Sequence, residues 1–165
     1  MGGLRAIAPF EISVAGYPET HPEASDPDFD LDNVRHKVEA GVSRAIGQYC
    51  FDTDQILRYR DALVARGVDV PFVPGIMPIH RFAQIVRFSA RCGATISPWL
   101  AHMFTGVEEG SPLHTMLAAS VVAEQVRRLV REGFRQFHIY ARNRAAPTRA
   151  ICRLLAMPLA CEAAA

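Results

Sequence analysis

Lysine is almost absent from this sequence of 165 residues, in which Lys37 stands beside seventeen arginines. The formal net charge is only +1, so the composition gives no electrostatic reason to expect binding to nucleic acid or to an anionic membrane. No apolar run reaches the roughly 18 residues that a membrane-spanning helix needs, and no leader-like segment opens the sequence. These absences predict a soluble, cytoplasmic protein that binds neither nucleic acid nor a membrane.

The sequence also lacks the spacings that mark common metal and nucleophile sites. None of its four cysteines belongs to a C-x-x-C pair or to a zinc-like Cys/His pattern, so we expect reduced thiols. His21 and Glu23 are candidate metal ligands, but two donors without a third are weak evidence, and we expect no metal. There is no glycine-rich phosphate loop and no serine in a nucleophile elbow. The cysteines are Cys50, Cys92, Cys152 and Cys161.

The pattern that is present is a strand followed by a helix, repeated four times. In the first strand Phe10, Ile12 and Val14 alternate with polar residues, and a Gly-Tyr-Pro turn ends it. We predict strands near residues 10–16, 44–50, 70–75 and 136–141, and helices at 25–41, 52–67, 79–92, 112–133 and 146–155. Residues 1–9 are predicted to hold no element, and residues 94–110 to form an irregular loop. The alternation predicts one α/β domain, 1–165, with a parallel sheet.

Apolar stripes predict which helix faces are buried. We expect Asp30 near the N-cap of the first helix. The predicted core residues are Leu31, Val34 and Val38 on the first helix, Ile56, Tyr59 and Leu63 on the second, Phe82, Ile85, Val86 and Ser89 on the third, and Met116, Ala119, Val122, Val126 and Leu129 on the fourth.

Polar side chains gather where the predicted strands end. Tyr17 and His21 follow the first strand, Gln48 lies near the end of the second, and Arg144 follows the fourth. The carboxyl ends of parallel strands meet at one edge of a sheet, where α/β proteins build their sites. We therefore expect these side chains to share one edge.

The first predicted helix adds a polar stripe, since Asp30, Asn33 and Lys37 fall at i, i+3 and i+7. This stripe is either an ordinary solvated face or part of the site. Lys37 and His36 are suited to a pyrophosphate, and the Asp30 and Asn33 side chains to sugar hydroxyls. The residues therefore suggest a nucleotide-like cofactor without identifying it.

Several stretches resemble the methylenetetrahydrofolate reductase family. The most specific is Tyr17-Pro-Glu-Thr-His-Pro-Glu-Ala24, and the matches together span residues 10–158. Others are Lys37-Val-Glu-Ala-Gly41, Arg44-Ala-Ile-Gly-Gln48, Pro74-Gly-Ile-Met-Pro78 and Asn143-Arg144-Ala145. The resemblance implies a (β/α)8 TIM barrel that holds FAD at the carboxyl ends of its strands and takes electrons from NADH or NADPH. The implied reaction is reduction of 5,10-methylenetetrahydrofolate to 5-methyltetrahydrofolate in one-carbon and methionine metabolism.

The same resemblance assigns roles to single residues. It implies flavin contacts by Tyr17, His21, Ala24, Asp30, Asn33, His36 and Lys37. It implies substrate contacts by Gln48, Gln84, Phe88 and Arg144, with Gln48 also meeting the nicotinamide and Phe88 stacking on the ligands. The sequence departs from the family at His36, where arginine is usual, and at Arg142, where leucine is usual. Because histidine is mostly neutral near pH 7, the phosphate contact is expected to be weaker.

The resemblance also implies a family domain nearly twice as long as this chain. We therefore expect a half-barrel of about four parallel strands that corresponds to the C-terminal half of the family's barrel. The family's catalytic acid lies in the other half, so we assign no catalytic residue. Three readings remain: an enzyme half that needs a separate N-terminal half-barrel, a non-catalytic half-barrel that binds flavin or self-associates, and a product without function.

Overall fold

A computed structural model describes residues 2–154. Its centre is a four-stranded parallel sheet in the order β1-β2-β3-β4. The strands are β1 Ser13–Gly16, β2 Arg44–Tyr49, β3 Phe72–Ile76 and β4 His138–Ile139. This confirms the prediction of an α/β half-barrel with four parallel strands. The first and last strands are shorter than predicted; the β1–β2 register begins only at Ser13, opposite Arg44.

Seven helices accompany the sheet in the described part of the chain. They are α1 Gly2–Ile7, α2 Pro27–Glu39, α3 Thr53–Ala65, α4 Phe82–Cys92, α5 Pro98–Met103, α6 Pro112–Arg131 and α7 Ala145–Leu154. Two of them correct the sequence analysis, which predicted no element at 1–9 and an irregular loop at 94–110. Helix α1 contains leucine, arginine and alanine, which are good helix formers. Helix α5 begins at a proline, and the core fully buries its Leu100.

The helix ends follow ordinary capping chemistry. The N-cap of α2 is Asp26, whose carboxylate accepts a 2.7 Å hydrogen bond from the Phe29 N–H. Asp30 was expected near this cap, but it lies in the first turn and is buried. Asp52 caps α3, accepting from the N–H groups of Asp54 and Gln55.

Three apolar clusters join the helices to the sheet. The first packs α2 and α3 on β1 and β2, and the second lies under α4, α5 and the start of α6. The third joins α3, α6 and α7 to β3. Two predicted core residues are exposed: Val86, and Met116 with 61% of its surface accessible. The buried side of α6 includes the predicted Val122 and also His114 and Ala118. A histidine in this stripe makes it hard to recognise from apolar residues.

The ladder between β2 and β3 contains a bulge. Ile46 pairs with Val73 and Tyr49 with Gly75, so the two residues Gly47 and Gln48 lie opposite Pro74 alone. Proline has no N–H to donate to a ladder, and the bulge accommodates it inside a central strand.

The two outer edges of the sheet, and one face of β1, lack partners among the described residues. On β1, Val14 and Gly16 turn toward the helices, whereas Ser13 and Ala15 are exposed. Within residues 2–154, β1 pairs only with β2, and β4 only with β3. The sheet is therefore open at both sides, as expected of a half-barrel.

Candidate active site

The carboxyl edge of the sheet collects the predicted site residues. Tyr17 follows β1 directly, Gln48 is the penultimate residue of β2, and Arg144 lies in the segment between β4 and α7. All four strands are parallel, so these positions belong to the same edge, which is the placement that the sequence predicts. Tyr17 and Gln48 also line one small cavity, and Gln84 and Arg144 line another.

The loop after β1 is fixed by contacts to α3 and within itself. The Tyr17 N–H donates a 3.2 Å hydrogen bond to the Tyr59 hydroxyl. The rings of Tyr17 and His21 meet edge to face, with centroids 4.5 Å apart. Burial raises the pKa of Tyr17, and the nearby Asp30 carboxylate adds to the increase. Tyr17 is therefore a neutral, half-buried ring beside the sheet edge.

Asp30 joins this loop to α2. Only 5% of Asp30 is exposed, and its Oδ2 accepts from the His21 N–H at 3.2 Å. The His21 Nδ1 in turn accepts from the Glu23 N–H at 3.1 Å, and the Ala24 N–H donates to the His21 carbonyl oxygen at 2.9 Å. Since Nδ1 acts as an acceptor here, Nε2 is the ring nitrogen left to donate a proton. Three predicted flavin contacts thus belong to one hydrogen-bonded turn.

The remaining predicted flavin contacts lie on α2. Asn33 and Lys37 are half-buried and His36 is exposed. None of the three side chains makes a hydrogen bond or ion pair with the rest of residues 2–154, so their polar groups are available to a ligand. His36 and Lys37 also lie in the last turn of α2, where positive charge stabilises the helix dipole without any ligand.

Gln48 lies at the bulge, beside a very small space. Its Oε1 accepts a 3.1 Å hydrogen bond from the Tyr49 N–H. The cavity that it shares with Tyr17 measures about 10 Å³, which is roughly the space for one water molecule. The segment after α4 helps to close it, because the Thr95 N–H donates to the Glu19 carboxylate at 3.0 and 3.1 Å. We refer to this contact as the Glu19–Thr95 latch.

The ring of Phe88 is already in contact with two neighbours. It stacks on Tyr49 with centroids 5.9 Å apart and planes 17° apart, and the Arg142 guanidinium lies 4.5 Å from its centroid. Tyr49 is held in turn by a 3.1 Å hydrogen bond between its hydroxyl and that of Ser89. Arg142 has a backbone φ of 49°, an uncommon conformation for a side chain of this size. A ligand that stacks on Phe88 in place of Arg142 must displace the guanidinium.

Gln84 and Arg144 line a cavity of about 180 Å³ together with His80, Tyr140 and Arg142. Both Gln84 and Arg144 are exposed, so their polar ends reach solvent. Burial raises the pKa of Tyr140, which keeps its phenol neutral. This cavity thus combines an amide, guanidinium groups and a tyrosine side chain at the carboxyl ends of β3 and β4.

Sequence reasoning missed His80 and Tyr140 at this edge. His80 lies in the loop after β3, four residues beyond Ile76, so a search of the loops after the strands would have found it. Burial lowers the pKa of His80, followed by the positive charges of Arg144 and Arg81. Among residues 2–154, no group of three or more histidine, cysteine, aspartate or glutamate residues is arranged to hold a metal ion. None of the described helices is long and apolar enough to cross a bilayer.

Comparison with known proteins shows the family of this chain. Residues 4–156 match the family model of methylenetetrahydrofolate reductase. The chain belongs to this family. It is 43% identical over 152 residues to the 5,10-methylenetetrahydrofolate reductase of Pectobacterium carotovorum subsp. carotovorum, covering 92% of this chain and 51% of that protein. It is 42% identical over 152 residues to the enzyme of the same name from Escherichia coli strain K12, with the same coverage.

The chain therefore spans about half the length of the bacterial relatives it matches. Among solved structures, an uncharacterized protein from Clostridium thermocellum superposes with a TM-score of 0.61 at 14% identity. That protein is described as binding two copies of 5-methyl-5,6,7,8-tetrahydrofolic acid. The superposition covers 93% of this chain and 56% of the other, and at this identity it concerns the fold alone.

Proposed function

We propose that this chain contributes half of the site for FAD-mediated reduction of 5,10-methylenetetrahydrofolate to 5-methyltetrahydrofolate. The observation that carries the proposal is the division of the carboxyl edge into two groups within a reductase family member. The β1 loop and α2 hold one group, around Tyr17, Asp30 and Lys37. The β3–α4 region and the loop after β4 hold the other, around Gln84 and Arg144. One group is suited to the flavin and the other to the folate.

The residues on α2 fit the polar parts of FAD in their chemistry. The unpaired side chains of His36 and Lys37 would hold phosphate oxygens, and Asn33 would bond ribityl or ribose hydroxyls. Tyr17 would border the ring system from the end of β1. One carboxylate oxygen of Asp30 accepts a hydrogen bond from the His21 N–H, so Asp30 stabilises the loop after β1. When bound, FAD supplies hydride transfer from NADH or NADPH to the folate.

Gln48 is the residue we assign to both the nicotinamide and the folate. Its Oε1 is oriented by the Tyr49 N–H, which leaves its NH2 group to donate. The 10 Å³ space beside it is too small for either ring. We propose that a ring enters this space when the Glu19–Thr95 latch opens and the segment after α4 moves away from the β1 loop.

The open sheet supports a partner that completes the barrel. Ser13 and Ala15 on the exposed face, together with the outer edges of β1 and β4, present groups that a closed barrel would pair. We propose that the region of the relatives beyond this match supplies the catalytic acid, either on the same polypeptide or on a separate chain. Among the described residues we assign no such acid. Self-association of this chain through the same surface is the competing proposal.

We also propose that the chain acts in the cytoplasm as a single domain. The three cysteines within the described residues, Cys50, Cys92 and Cys152, are free thiols, as a reducing compartment favours. Cys161 lies outside the described residues. The predicted helix at 146–155 is described only as far as Leu154.

Reconstitution tests the proposal. The chain is purified alone and then mixed with the separately expressed part of the Escherichia coli relative that it does not match. NADH oxidation is followed with FAD and methylenetetrahydrofolate. We expect little turnover by either part alone, because positioned acid catalysis is worth roughly 10²–10⁴-fold, and folate-dependent turnover by the mixture. Ala15→Arg on the exposed face should prevent recovery, whereas Glu39→Arg on α2 serves as the matched surface control.

Turnover near one per second by the chain alone would contradict the need for a second half. A mixture that forms a complex and binds FAD, yet reduces no folate, would contradict the assigned reaction. Flavin fluorescence distinguishes the non-catalytic alternative, in which the chain alone quenches FAD and the mixture gains no activity.

A further inference from the structure

A cavity of about 430 Å³ opens between α6, the first turns of α7 and the loop after β3. It adjoins the smaller cavity beside Gln84, since His80 and Arg144 line both. None of the roles proposed for flavin or folate uses the part between α6 and α7. Its volume lies in the roughly 300–1,000 Å³ range of small-molecule sites.

The walls of this cavity are mostly apolar, and no carboxylate lines it. Ile79, Ala118 and Ile151 form part of the wall, which also includes the alanines and the proline at the start of α7. The polar lining groups are His80, His114, Thr115 and Arg144. The Thr115 hydroxyl already donates to the Ser111 carbonyl oxygen at 3.1 Å. The remaining three are nitrogen groups that can donate hydrogen bonds, and Arg144 also carries positive charge, a combination that favours an anion.

His114 provides independent evidence for a ligand. Only 1% of its surface is exposed, and its Nε2 has no hydrogen-bond partner among the described residues. The ring packs 5.1 Å from Phe104, which fixes its position in the cavity wall. A buried polar group without a partner costs free energy, and native proteins usually satisfy such groups. A hydrogen-bonding ligand in this cavity would remove that cost.

The surroundings also carry positive potential. The ten-residue helix α7 begins at the cavity with Ala145 and Ala146, whose first-turn N–H groups have no partners within an α-helix. Burial lowers the pKa of His80, and the charges of Arg144, Arg81 and His114 lower it further. Glu109 acts in the opposite direction as the smallest contribution. The imidazole therefore experiences a net positive environment, which an anion would relieve.

We propose that this cavity binds a small organic carboxylate. Its carboxylate group would lie among His80, His114 and Arg144, and its apolar body would contact the alanine and isoleucine wall. A bare inorganic anion would satisfy the three nitrogen groups but leave the apolar wall without contacts. The inference goes beyond the reductase proposal, with which it shares Arg144, and its test uses neither flavin nor folate.

Calorimetric titration of the purified chain, without flavin or folate, tests the inference with benzoate as the probe. Benzamide is the uncharged control and inorganic phosphate the bare anion. We expect saturable benzoate binding and about tenfold weaker binding of both controls. Benzamide lacks the charged group that accepts the hydrogen bonds, and phosphate lacks the apolar body that the cavity wall would bury. Absence of saturable benzoate binding would overturn the inference. Equal binding of phosphate would show a bare anion site and overturn the organic assignment.

Variants locate the binding. His114→Gln should weaken benzoate by about tenfold, and circular dichroism checks that it folds. Ala150→Leu, at an exposed position of the lining, fills the cavity from α7 and should abolish binding even if the buried histidine tolerates no change. Arg149→Gln removes a positive charge from the same helix outside the lining and should leave binding unchanged. Wild-type affinity in Ala150→Leu, or equal weakening by Arg149→Gln, would overturn the assigned position.

Discussion

The Tyr140 hydroxyl donates a 3.1 Å hydrogen bond to the carbonyl oxygen of Gly47, at the bulge where β2 passes Pro74. Proline offers no N–H at this point of the ladder, so a side chain from the end of β4 supplies the donor. This bond connects the second and fourth strands across β3. It also fixes the backbone next to Gln48, the amide that we assign to nicotinamide and folate.

Removal of that donor should destabilise the protein. Tyr140→Phe leaves the Gly47 carbonyl oxygen without this partner, and we expect a loss of about 1 kcal/mol in the free energy of unfolding. Urea denaturation monitored by circular dichroism measures it. Tyr17→Phe is the matched control, since its hydroxyl makes no hydrogen bond to a described residue. Equal stability of Tyr140→Phe and wild type would show that the bond contributes little.

Gly75 is expected to tolerate no side chain. A Cβ at this position would overlap the Gly47 carbonyl oxygen and lie 2.7 Å from the Tyr140 ring and 2.9 Å from the Gln48 carbonyl carbon. Two of these neighbours are backbone atoms that cannot move without disturbing the bulge. Gly75→Ala should therefore cost about 3 kcal/mol or more.

The yield of soluble protein and its urea midpoint report the effect of Gly75→Ala. Gly3→Ala is the control, because nothing lies within 4 Å of a Cβ there and alanine favours helix α1. A Gly75→Ala variant as stable as Gly3→Ala would contradict the close approach of β2 and β3.

The contact between Arg142 and Phe88 should oppose substrate binding. Arg142→Leu removes the guanidinium from the ring and leaves Phe88 available for stacking. We expect the KM for methylenetetrahydrofolate in the reconstituted assay to fall by about two- to fivefold, which corresponds to a cation–π contact of about 0.5–1 kcal/mol. Arg149→Leu, on α7, controls for the loss of charge. A KM that rises in Arg142→Leu alone would instead indicate that the arginine binds the substrate.

His80 should make the protein less stable in mild acid. Its pKa in the folded state lies below the ordinary value of 6.5 because of burial and neighbouring positive charges. The unfolded chain therefore binds the proton first as the pH falls. The stability contribution is complete above pH 6.5 and is lost as the pH falls through the folded-state pKa.

The size of this pH effect is small, since His80 is only half-buried. Urea midpoints measured across the range from neutral to mildly acidic pH should fall for wild type and fall less for His80→Gln. His102→Gln, at an exposed position on α5, should retain the wild-type slope. Identical slopes in wild type and His80→Gln would show that this residue has no part in the pH dependence.

Period-2 alternation and turn residues were enough to predict the four parallel strands. In β1, for example, the apolar Ile12 and Val14 face the core, and the polar Ser13 between them faces away from it. The positions of Tyr17 and Gln48 at the ends of two parallel strands were enough to predict that they lie at the same edge of the sheet. The bulge was not predicted because it depends on the register between β2 and β3 at Pro74. The sequence of either strand alone does not determine that register. Helix α5 was not predicted because its six residues show no helical period in the sequence. The burial of Leu100, which anchors the helix to the core, is visible only in the structure.

The candidate site was harder to predict than the fold. The Arg142–Phe88 contact depends on two consecutive left-handed residues, Arg142 and Asn143, which have no glycine to signal them. His114 occupies a core position on α6, where a pattern of apolar residues cannot include it. The positions of these side chains depend on packing between elements that are far apart in the sequence. The periodic pattern of apolar residues within one helix or strand therefore cannot predict them.

The Glu19–Thr95 latch joins the two groups of the proposed site. Glu19 belongs to the loop that carries Tyr17 and His21, and Thr95 follows the helix that carries Gln84 and Phe88. A folate that parts these residues would change the loop that faces the flavin. By thermodynamic linkage, a flavin that prefers the parted state would then favour folate by the same factor as folate favours flavin. If both ligands bind as proposed, the Glu19 carboxylate therefore couples the flavin and folate sites within this half of the barrel.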